Sequence, residues 1–212
     1  MWLSGIQMID ISVPLFNGID PYEGDPAFEQ SLVYSIDKGD IANVSKLVLS
    51  AHTGTHVDAP YHYFNDGKPI DQVDLKKFMG PCQVIEIPDN ELENNLVTKN
   101  SLPKSFKYQR ILLKTKNSNN PAVFDKNFVG INLECAKYLV ENKLELVGID
   151  GFSIEEFTGD GSVHKELLSH EIAVLEIIDL SHVNPGYYNL ICLPLRIKSC
   201  DASPARAILQ PL

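Results

Sequence analysis

Seven short apolar runs along the chain predict β-strands separated by turns. Most of the runs alternate apolar with polar side chains, which is typical of a strand with one buried face. The last two runs are nearly continuous, and they therefore predict strands that are buried on both faces. The predicted strands are residues 9–13, 45–51, 83–87, 110–115, 146–149, 172–178 and 190–193.

Helical periodicity is limited to a few segments. Residues 133–142 place Leu133 and Leu139 on one side of a helix that leads directly into the next predicted strand. Ser153 and Glu156 have the spacing of a capping box, which predicts a short helix, and residues 164–169 predict another. Many strands and few helices indicate an α/β fold, with a mixed, β-rich sheet core and few flanking helices in a single compact domain.

Length and composition favour one domain, residues 1–212, because a chain of this length buries one substantial core and no linker or internal repeat divides it. Acidic side chains outnumber basic ones by 28 to 18, and the formal net charge of -10 disfavours nucleic acid and anionic membranes as partners. The first ten residues lack the basic and apolar regions of a signal peptide, and no apolar run reaches the ~18 residues of a membrane span. We therefore expect a cytoplasmic protein.

The cysteines and two of the histidines do not indicate a metal site or a catalytic site. Cys82 and Cys192 lie in apolar runs and are interpreted as buried free thiols, since no two cysteines have the Cys-x-x-Cys spacing. His170 and His182 lie beside turn residues and are expected at the surface.

Residues able to bind a metal or act in catalysis are most concentrated in the segment 52–62, His-Thr-Gly-Thr-His-Val-Asp-Ala-Pro-Tyr-His. The offsets from His52 to His56, Asp58 and His62 are all even, which places the four side chains on one face of an extended chain. Imidazole and carboxylate groups together bind zinc, manganese or iron. In the alternative interpretation these histidines only cap turns or fill a polar groove, but three histidines and an aspartate at this spacing favour a metal centre.

A straight strand would nevertheless separate these side chains too widely. Positions four apart in a strand are ~13 Å apart, too far for two imidazoles to share one ion easily. Gly54 is the natural place for a bulge or tight bend that brings His52 and His56 together. The run 45–51 precedes the segment in the same register, and we expect Leu47 on its buried face.

A second part of the site is indicated by Glu176. It is the only ionisable residue of the apolar run 172–178, and burying a carboxylate is costly unless it is paired or bound to a metal. A metal ligand is therefore one interpretation, and a buried salt bridge to Arg196 or Arg206 is the other. His164, taken alone, is an ordinary surface histidine.

These motifs together resemble the cyclase-like metal hydrolases, the family that includes bacterial kynurenine formamidases and isatin hydrolases. The eleven-residue histidine segment is the most specific match, and the similarity extends over nearly the whole chain. The other matching stretches are residues 22–26, 67–70, 80–84, 164–180 and 201–209.

The resemblance implies a ligand set of five residues. His52, His56 and Asp58 would hold one divalent ion, and Asp58, His164 and Glu176 would hold a second, so that Asp58 bridges the two. Zinc is the first expectation for both ions, with manganese and iron as alternatives.

The family also implies roles for two further residues and a quaternary structure. His62 would be the catalytic histidine, and Tyr22 would line the substrate pocket. The family fold is a compact, swivelling β/β/α domain that assembles as a homodimer or homotetramer. Two departures bear on the substrate: Glu23 stands where the family usually has Pro, and residues 150–154 lack the Thr-Pro-Ser-Val-Asp-Pro type of sequence found in kynurenine formamidases.

The function implied is hydrolysis of a small-molecule C–N amide bond by metal-activated water, as in an arylformamidase. His62 would pass a proton to the departing nitrogen as general acid. The alternatives are opening of a lactam or cyclic imide, hydrolysis of an ester, a metal-binding module without turnover, and a structural or interaction protein.

Overall fold

The computed structural model describes residues 7–212, and the first six residues of the N-terminal segment discussed above lie outside this range. Two α-helices and twelve strands are present in the described range. The helices are α1 (Leu133–Glu141) and α2 (Ser162–Ser169). The strands are β1 (Ile9–Asp10), β2 (Glu29–Tyr34), β3 (Val44–Val48), β4 (His56–Asp58), β5 (Met79–Glu86), β6 (Leu96–Val97), β7 (Arg110–Lys114), β8 (Gly130–Ile131), β9 (Leu146–Ile149), β10 (Ala173–Glu176), β11 (Gly186–Pro194) and β12 (Ala202–Pro211). Short 3-10 turns lie at Ile36–Lys38, Pro60–His62, Ile70–Gln72, Leu75–Phe78, Asp89–Glu91, Lys99–Ser101 and Lys116–Asn119.

Seven strands close into a barrel. Their order is β12, β11, β5, β7, β9, β10 and β4, and β4 pairs back with β12 to complete the ring. The neighbours from β5 through β10 are parallel, and the other pairs are antiparallel. This arrangement confirms the predicted α/β fold with a mixed, β-rich sheet in one compact domain.

The core lies on both faces of this closed sheet. Leu112 of β7 belongs to one buried cluster, whereas its neighbours Ile111 and Leu113 belong to a second cluster that also contains Leu139 of α1 and Leu167 of α2. Because the helices pack on the outside of the barrel, the first cluster fills its interior. The nearly continuous apolar run in β10 therefore reflects burial on both faces, as predicted.

The predicted strand at 45–51 has a different role from the one expected. β3 forms a separate two-stranded hairpin with β2, and Leu47 is 56% exposed instead of buried. Alternation of apolar and polar residues predicts an extended chain, but it does not reveal whether a core lies against either face. The strand stops at Val48, short of the histidine segment.

The predicted short helix at Ser153 does not form. The N–H of Ile154 donates to the Glu176 carboxylate, and the carbonyl of Ile154 accepts from the N–H of Ile131. These two hydrogen bonds use the backbone groups that a helix would need, so the segment is a loop tied to β8 and β10.

Two smaller predictions agree with the structure. Cys82 and Cys192 are buried free thiols. The side chains of His170 and His182 are about half exposed, at 51% and 48%. No helix among residues 7–212 is long and apolar enough to cross a membrane.

Candidate metal centre and active site

The turn before β4 brings two histidines together. Gly54 has a φ of +62°, which supplies the predicted bend, and the ring centroids of His52 and His56 are 4.9 Å apart. The buried Thr55 fixes this turn because its hydroxyl accepts from the N–H of Val13 at 2.9 Å and donates to the carbonyl of Ile177.

The position of β4 in the barrel brings Glu176 to the same place. β4 lies between β10 and β12, and His56 is directly opposite Glu176 in the register of β4 and β10. Nε2 of His56 lies 3.2 Å from Oε2 of Glu176, and Nε2 of His164 on α2 lies 3.3 Å from Oε1. Glu176 therefore faces two imidazoles, and Arg206 is instead paired with Asp10. The interpretation of Glu176 as a salt-bridge partner of Arg206 is wrong.

Asp58 lies at the middle of the cluster and is fully buried. Its Oδ1 is 3.0 Å from Nδ1 of His52 and 3.4 Å from Nε2 of His56, and its Oδ2 is 3.8 Å from Nε2 of His164. Two groups of three donors result, one of Asp58 with His52 and His56, the other of Asp58 with His164 and Glu176. Within each group the donor atoms lie within 4.8 Å of one another.

Each of the three imidazoles has one nitrogen held by an oxygen outside the cluster. This contact fixes the ring and leaves the other nitrogen directed at Asp58 or Glu176, the usual arrangement of metal-binding histidines. The outer contacts are Nε2 of His52 with Oδ2 of Asp201 at 2.9 Å, Nδ1 of His56 with the carbonyl oxygen of Gly54 at 2.8 Å, and Nδ1 of His164 with Oε2 of Glu155 at 3.1 Å.

The buried polar atoms at the centre lack hydrogen bonds. Nε2 of His56 and both carboxylate oxygens of Asp58 make no hydrogen bond of acceptable geometry to any residue of the range 7–212. Buried polar atoms are almost always hydrogen-bonded or bound to an ion, so these atoms have the character of ligands. A donor set of imidazoles and carboxylates fits divalent zinc, manganese or iron.

The carboxylates of the cluster favour positive charge on or next to the three imidazoles. Burial lowers the pKa of all three imidazoles, but the surrounding carboxylates outweigh burial and raise each pKa above its ordinary value. The pKa values are about 11 for His52, about 9 for His56 and about 10 for His164. Burial acts to raise the pKa of Asp58, whereas the adjacent His52 and His56 hold it well below its usual range. The centre therefore attracts protons or metal cations.

A cavity of about 280 Å³ opens onto this cluster. Its walls include Tyr22, Tyr63 and Phe152, which give it an aromatic lining. His62 also lines the cavity, with its ring centroid 4.2 Å from that of His52, and its Nδ1 lies 3.5 Å from Oδ2 of Asp201. His62 is outside both three-donor groups centred on Asp58, although it forms a third group with His52 and Asp201.

All seven residues proposed from the sequence thus meet at one place, and the structure adds three more. Glu155 orients His164, Asp201 contacts both His52 and His62, and Tyr63 stacks on His164 with ring centroids 4.8 Å apart. The sequence contained a signal for Asp201, which lies in a matching stretch near the C-terminus. Glu155 carried no such signal, because its segment resembles the start of a helix.

Comparisons with known proteins show which family the chain is similar to. A family model described as a putative cyclase matches residues 9–156. Kynurenine formamidase from Bacillus anthracis is 35% identical over 207 residues, which cover 96% of this chain and 97% of the relative.

Solved structures are similar over almost the whole chain. A potential metal-dependent hydrolase with cyclase activity has a TM-score of 0.83 at 27% identity and covers 98% of both chains. Isatin hydrolase A from Labrenzia aggregata has a TM-score of 0.82, covers 97% of this chain and 94% of its own, and is 20% identical. At that identity the likeness establishes a shared fold only.

Proposed function

Because this chain belongs to the cyclase family, we propose that it is a metal-dependent amidohydrolase that cleaves the C–N bond of an arylformamide, with N-formylkynurenine as the first candidate substrate. One observation carries the proposal. Four donor residues, His52, His56, His164 and Glu176, surround the buried carboxylate of Asp58, whose oxygens make no hydrogen bond within residues 7–212. His62 lies beside them in an aromatic cavity.

We propose that His52, His56 and Asp58 hold one divalent ion, and that Asp58, His164 and Glu176 hold a second. Zinc is the first candidate for both. Ions bound there would lower the pKa of a water molecule and polarise the formyl carbonyl of the substrate.

The residues of the chain supply the remaining chemistry. His62 is placed to protonate the departing nitrogen, because it lines the cavity and lies outside the two groups that share Asp58. Nδ1 of His62 lies 3.5 Å from Oδ2 of Asp201, which leaves Nε2 as the nitrogen that would protonate the substrate. Tyr22, Tyr63 and Phe152 offer apolar faces to the aryl ring of the substrate.

The rim of the cavity matches a substrate with an ammonium group. Glu23 and Asp25 both line the cavity, and Asp25 is held by the hydroxyl of Ser50 at 2.8 Å. N-formylkynurenine carries an α-ammonium group, beside an α-carboxylate, one methylene away from its aryl ketone. Glu23 is paired with Lys126, so Asp25 is the rim carboxylate that would attract the ammonium group. This match favours an amino-acid formamide over a neutral lactam.

The test is metal analysis of protein purified without added metal, followed by assays on N-formylkynurenine, isatin and phenyl acetate. We expect up to two metal ions per chain and turnover fastest on N-formylkynurenine. Faster turnover of isatin would replace the formamidase assignment by lactam hydrolysis. Bound metal without turnover of any of the three compounds would reduce the protein to a metal-binding module.

Glu176→Gln separates a metal ligand from a merely structural carboxylate. The amide keeps the size of the side chain but removes the charge, so we expect metal occupancy to fall, chiefly at the site shared with His164. The exposed Glu156→Gln is the control for loss of one negative charge. Unchanged metal stoichiometry in Glu176→Gln would remove Glu176 from the ligand set.

A further inference from the structure

The rim of the cavity carries an ion pair at some distance along the chain from the proposed metal ligands. Glu23 lines the cavity, and its carboxylate is paired with Nζ of Lys126. Both side chains are about half exposed, at 53% and 52%, so the pair lies between the cavity and the solvent. Glu23 also departs from the family, which usually has Pro there. The ion pair is therefore a feature of this chain, and it bears on the substrate.

Lys126 is held in place by an aromatic ring as well as by Glu23. Its Nζ lies 4.6 Å from the ring centroid of Phe157, within the range of a cation–π contact. Phe157 packs in turn against Tyr22, which lines the cavity, with ring centroids 5.9 Å apart. The ammonium group of Lys126 is therefore positioned next to the cavity wall before any substrate arrives, which lowers the entropy that binding must cost.

One tight turn brings Lys126 close to Asp25. The N–H of Asp25 donates to the carbonyl of Tyr22 at 3.0 Å, so residues 22–25 form a turn. Glu23, which holds Lys126, and Asp25 both belong to this turn, and both line the cavity. The rim thus presents a cation and an anion within the width of a single turn.

A cation at this rim matters because the other charges there are negative. The cavity is lined by three acidic residues, Glu23, Asp25 and Glu176, and no lysine or arginine of the range 7–212 lines it directly. The whole chain has a formal net charge of -10. The rim therefore repels a substrate carboxylate unless a neighbouring cation binds it. An α-amino acid carries its ammonium and carboxylate groups on one carbon atom, so its recognition takes an acidic and a basic side chain that lie close together.

We propose that Lys126 binds the α-carboxylate of an amino-acid formamide while Asp25 binds its α-ammonium group, so that the substrate is recognised as a zwitterion. The inference rests on the proposed amidohydrolase function and adds the residue that selects among formamides. In the free protein Glu23 occupies Lys126. The substrate carboxylate replaces Glu23 as the partner of this ammonium group, and no covalent bond changes in the exchange.

This exchange predicts opposite effects for the two members of the pair. Lys126→Met removes the cation, so binding of an α-amino acid should weaken by about threefold to fivefold, the size of an exposed ion pair. Glu23→Gln removes the competing carboxylate, so the same ligand should bind more tightly. A pair that only ties the turn to the loop around Lys126 would weaken binding in both variants. The sign of the Glu23→Gln effect separates recognition from structure.

The test is calorimetric binding of kynurenine and of kynurenine α-carboxamide to the full chain loaded with zinc. Kynurenine is the product expected from N-formylkynurenine, and the carboxamide lacks only the carboxylate charge. The wild type should prefer kynurenine, Lys126→Met should bring the two Kd values together, and Glu23→Gln should widen the preference. In steady-state kinetics on N-formylkynurenine, Lys126→Met should raise KM far more than it changes kcat, because the contact is the same in the ground and transition states.

Two other lysines complete the experiment. Lys104 is exposed and outside the cavity lining, so Lys104→Met should match the wild type in every value. Lys165 is the rival cation, because its Nζ lies 5.9 Å from the ring centroid of Tyr63 in the cavity wall. Circular dichroism should show all variants folded.

Three results would overturn the assignment of Lys126. They are equal Kd values of the wild type for the two ligands, loss of the preference in Lys165→Met but not in Lys126→Met, and weaker binding of kynurenine in Glu23→Gln. Binding that depends on Lys126, without hydrolysis of any formamide, would contradict the proposed function and leave this inference standing, because binding of kynurenine requires no turnover.

Discussion

His62 lies close to His52 and His56 in the sequence, but its surroundings in the structure differ from theirs. His56 is 1% exposed, with one ring nitrogen next to the carbonyl oxygen of Gly54 and the other next to the carboxylates of Asp58 and Glu176. The side chain of His62 is 28% exposed and faces the cavity. A ligand must be held on both sides, while a proton carrier must reach the substrate. These surroundings support the different roles proposed for His62 and for the histidines around Asp58.

This difference predicts the behaviour of His62→Ala. We expect metal content to persist while kcat falls by about 10²-fold or more, the usual effect of losing a general acid. The measurement is metal analysis beside steady-state kinetics on N-formylkynurenine. His182→Ala, an exposed histidine away from the cavity, should leave both values unchanged. Loss of metal from His62→Ala would make His62 a ligand.

Glu155 provides a second test at the residue scale. It accepts from Nδ1 of His164 at 3.1 Å and from the N–H of Gly161 at 2.8 Å, so it fixes both the ring and the start of α2. For Glu155→Gln we expect metal affinity to fall by about 10-fold to 100-fold, the usual loss when the outer partner of a metal-bound histidine is changed. Competition with a chelator measures it.

The neighbouring Glu156→Gln controls for this experiment, since Glu156 is exposed. Its metal affinity should match that of the wild type. If Glu155→Gln also bound metal normally, the hydrogen bond from Glu155 would have no part in orienting His164.

The elements that could be predicted from the sequence are those whose residues pack on the barrel. The sequence predicts the strand at 146–149 at its observed bounds and the helix that starts at Leu133 to within one residue. In both elements the apolar side chains follow the spacing of the element and pack against the barrel. β3 has an equally clear pattern but lies in the exposed hairpin with β2. The alternation of apolar and polar residues predicts the backbone conformation of a strand. Whether its side chains are buried depends on elements that are distant in sequence.

The candidate site was predicted to a similar extent. The histidine segment predicts a metal centre through its own residue types and spacing. Glu176 is predicted as a ligand because a charged residue in an apolar strand is unusual. Asp201 and Glu155 reach the site only through the closure of the barrel and the path of the loop after β9. Asp201 lies in a stretch that resembles the family, but nothing in the sequence assigned it a role, and Glu155 has no pattern that distinguishes it from a surface carboxylate.

The loop that contains Glu155 depends on Gly130 in β8. A Cβ at this position would lie 2.8 Å from the backbone nitrogen of Glu156 and 2.9 Å from the carbonyl oxygen of Ile154. Since backbone atoms must then move, we expect Gly130→Ala to destabilise the protein by about 1–3 kcal/mol. Metal affinity should fall as well, because the same loop holds Glu176 through Ile154.

Gly18→Ala is the control for this substitution. Gly18 has a φ of +99° and open space around it, so alanine there should cost about 1–2 kcal/mol from the backbone alone. Chemical denaturation and chelator competition measure the two effects. Loss of stability without loss of metal affinity in Gly130→Ala would show that the loop and the metal centre are independent.

At the scale of the whole molecule, metal binding should contribute to stability. Without a bound cation, both carboxylate oxygens of the buried Asp58 lack a hydrogen bond within residues 7–212. At a free metal concentration about 100 times the Kd, binding adds about 2.7 kcal/mol to the free energy of unfolding. For a chain of this size, that corresponds to a rise in Tm of roughly 5–10 °C.

Differential scanning calorimetry with and without a chelator measures this shift. Glu176→Gln should show a smaller shift than the wild type, because one of its two ion sites is impaired. An identical Tm in the presence and absence of metal would mean that no ion is bound at the buried carboxylates of the folded state.

The closure of the barrel through β4 has a consequence for biosynthesis. β4 carries two of the proposed ligands, His56 and Asp58, yet its two neighbours, β10 and β12, lie far from it along the chain. Pairing across such a separation in sequence is slow, because the intervening chain must first be ordered. We therefore expect β4 to pair with its neighbours only after β10 and β12 have been synthesised, so that the histidine segment stays unpaired during much of translation. A chain truncated before β12 would keep an open sheet edge at β4.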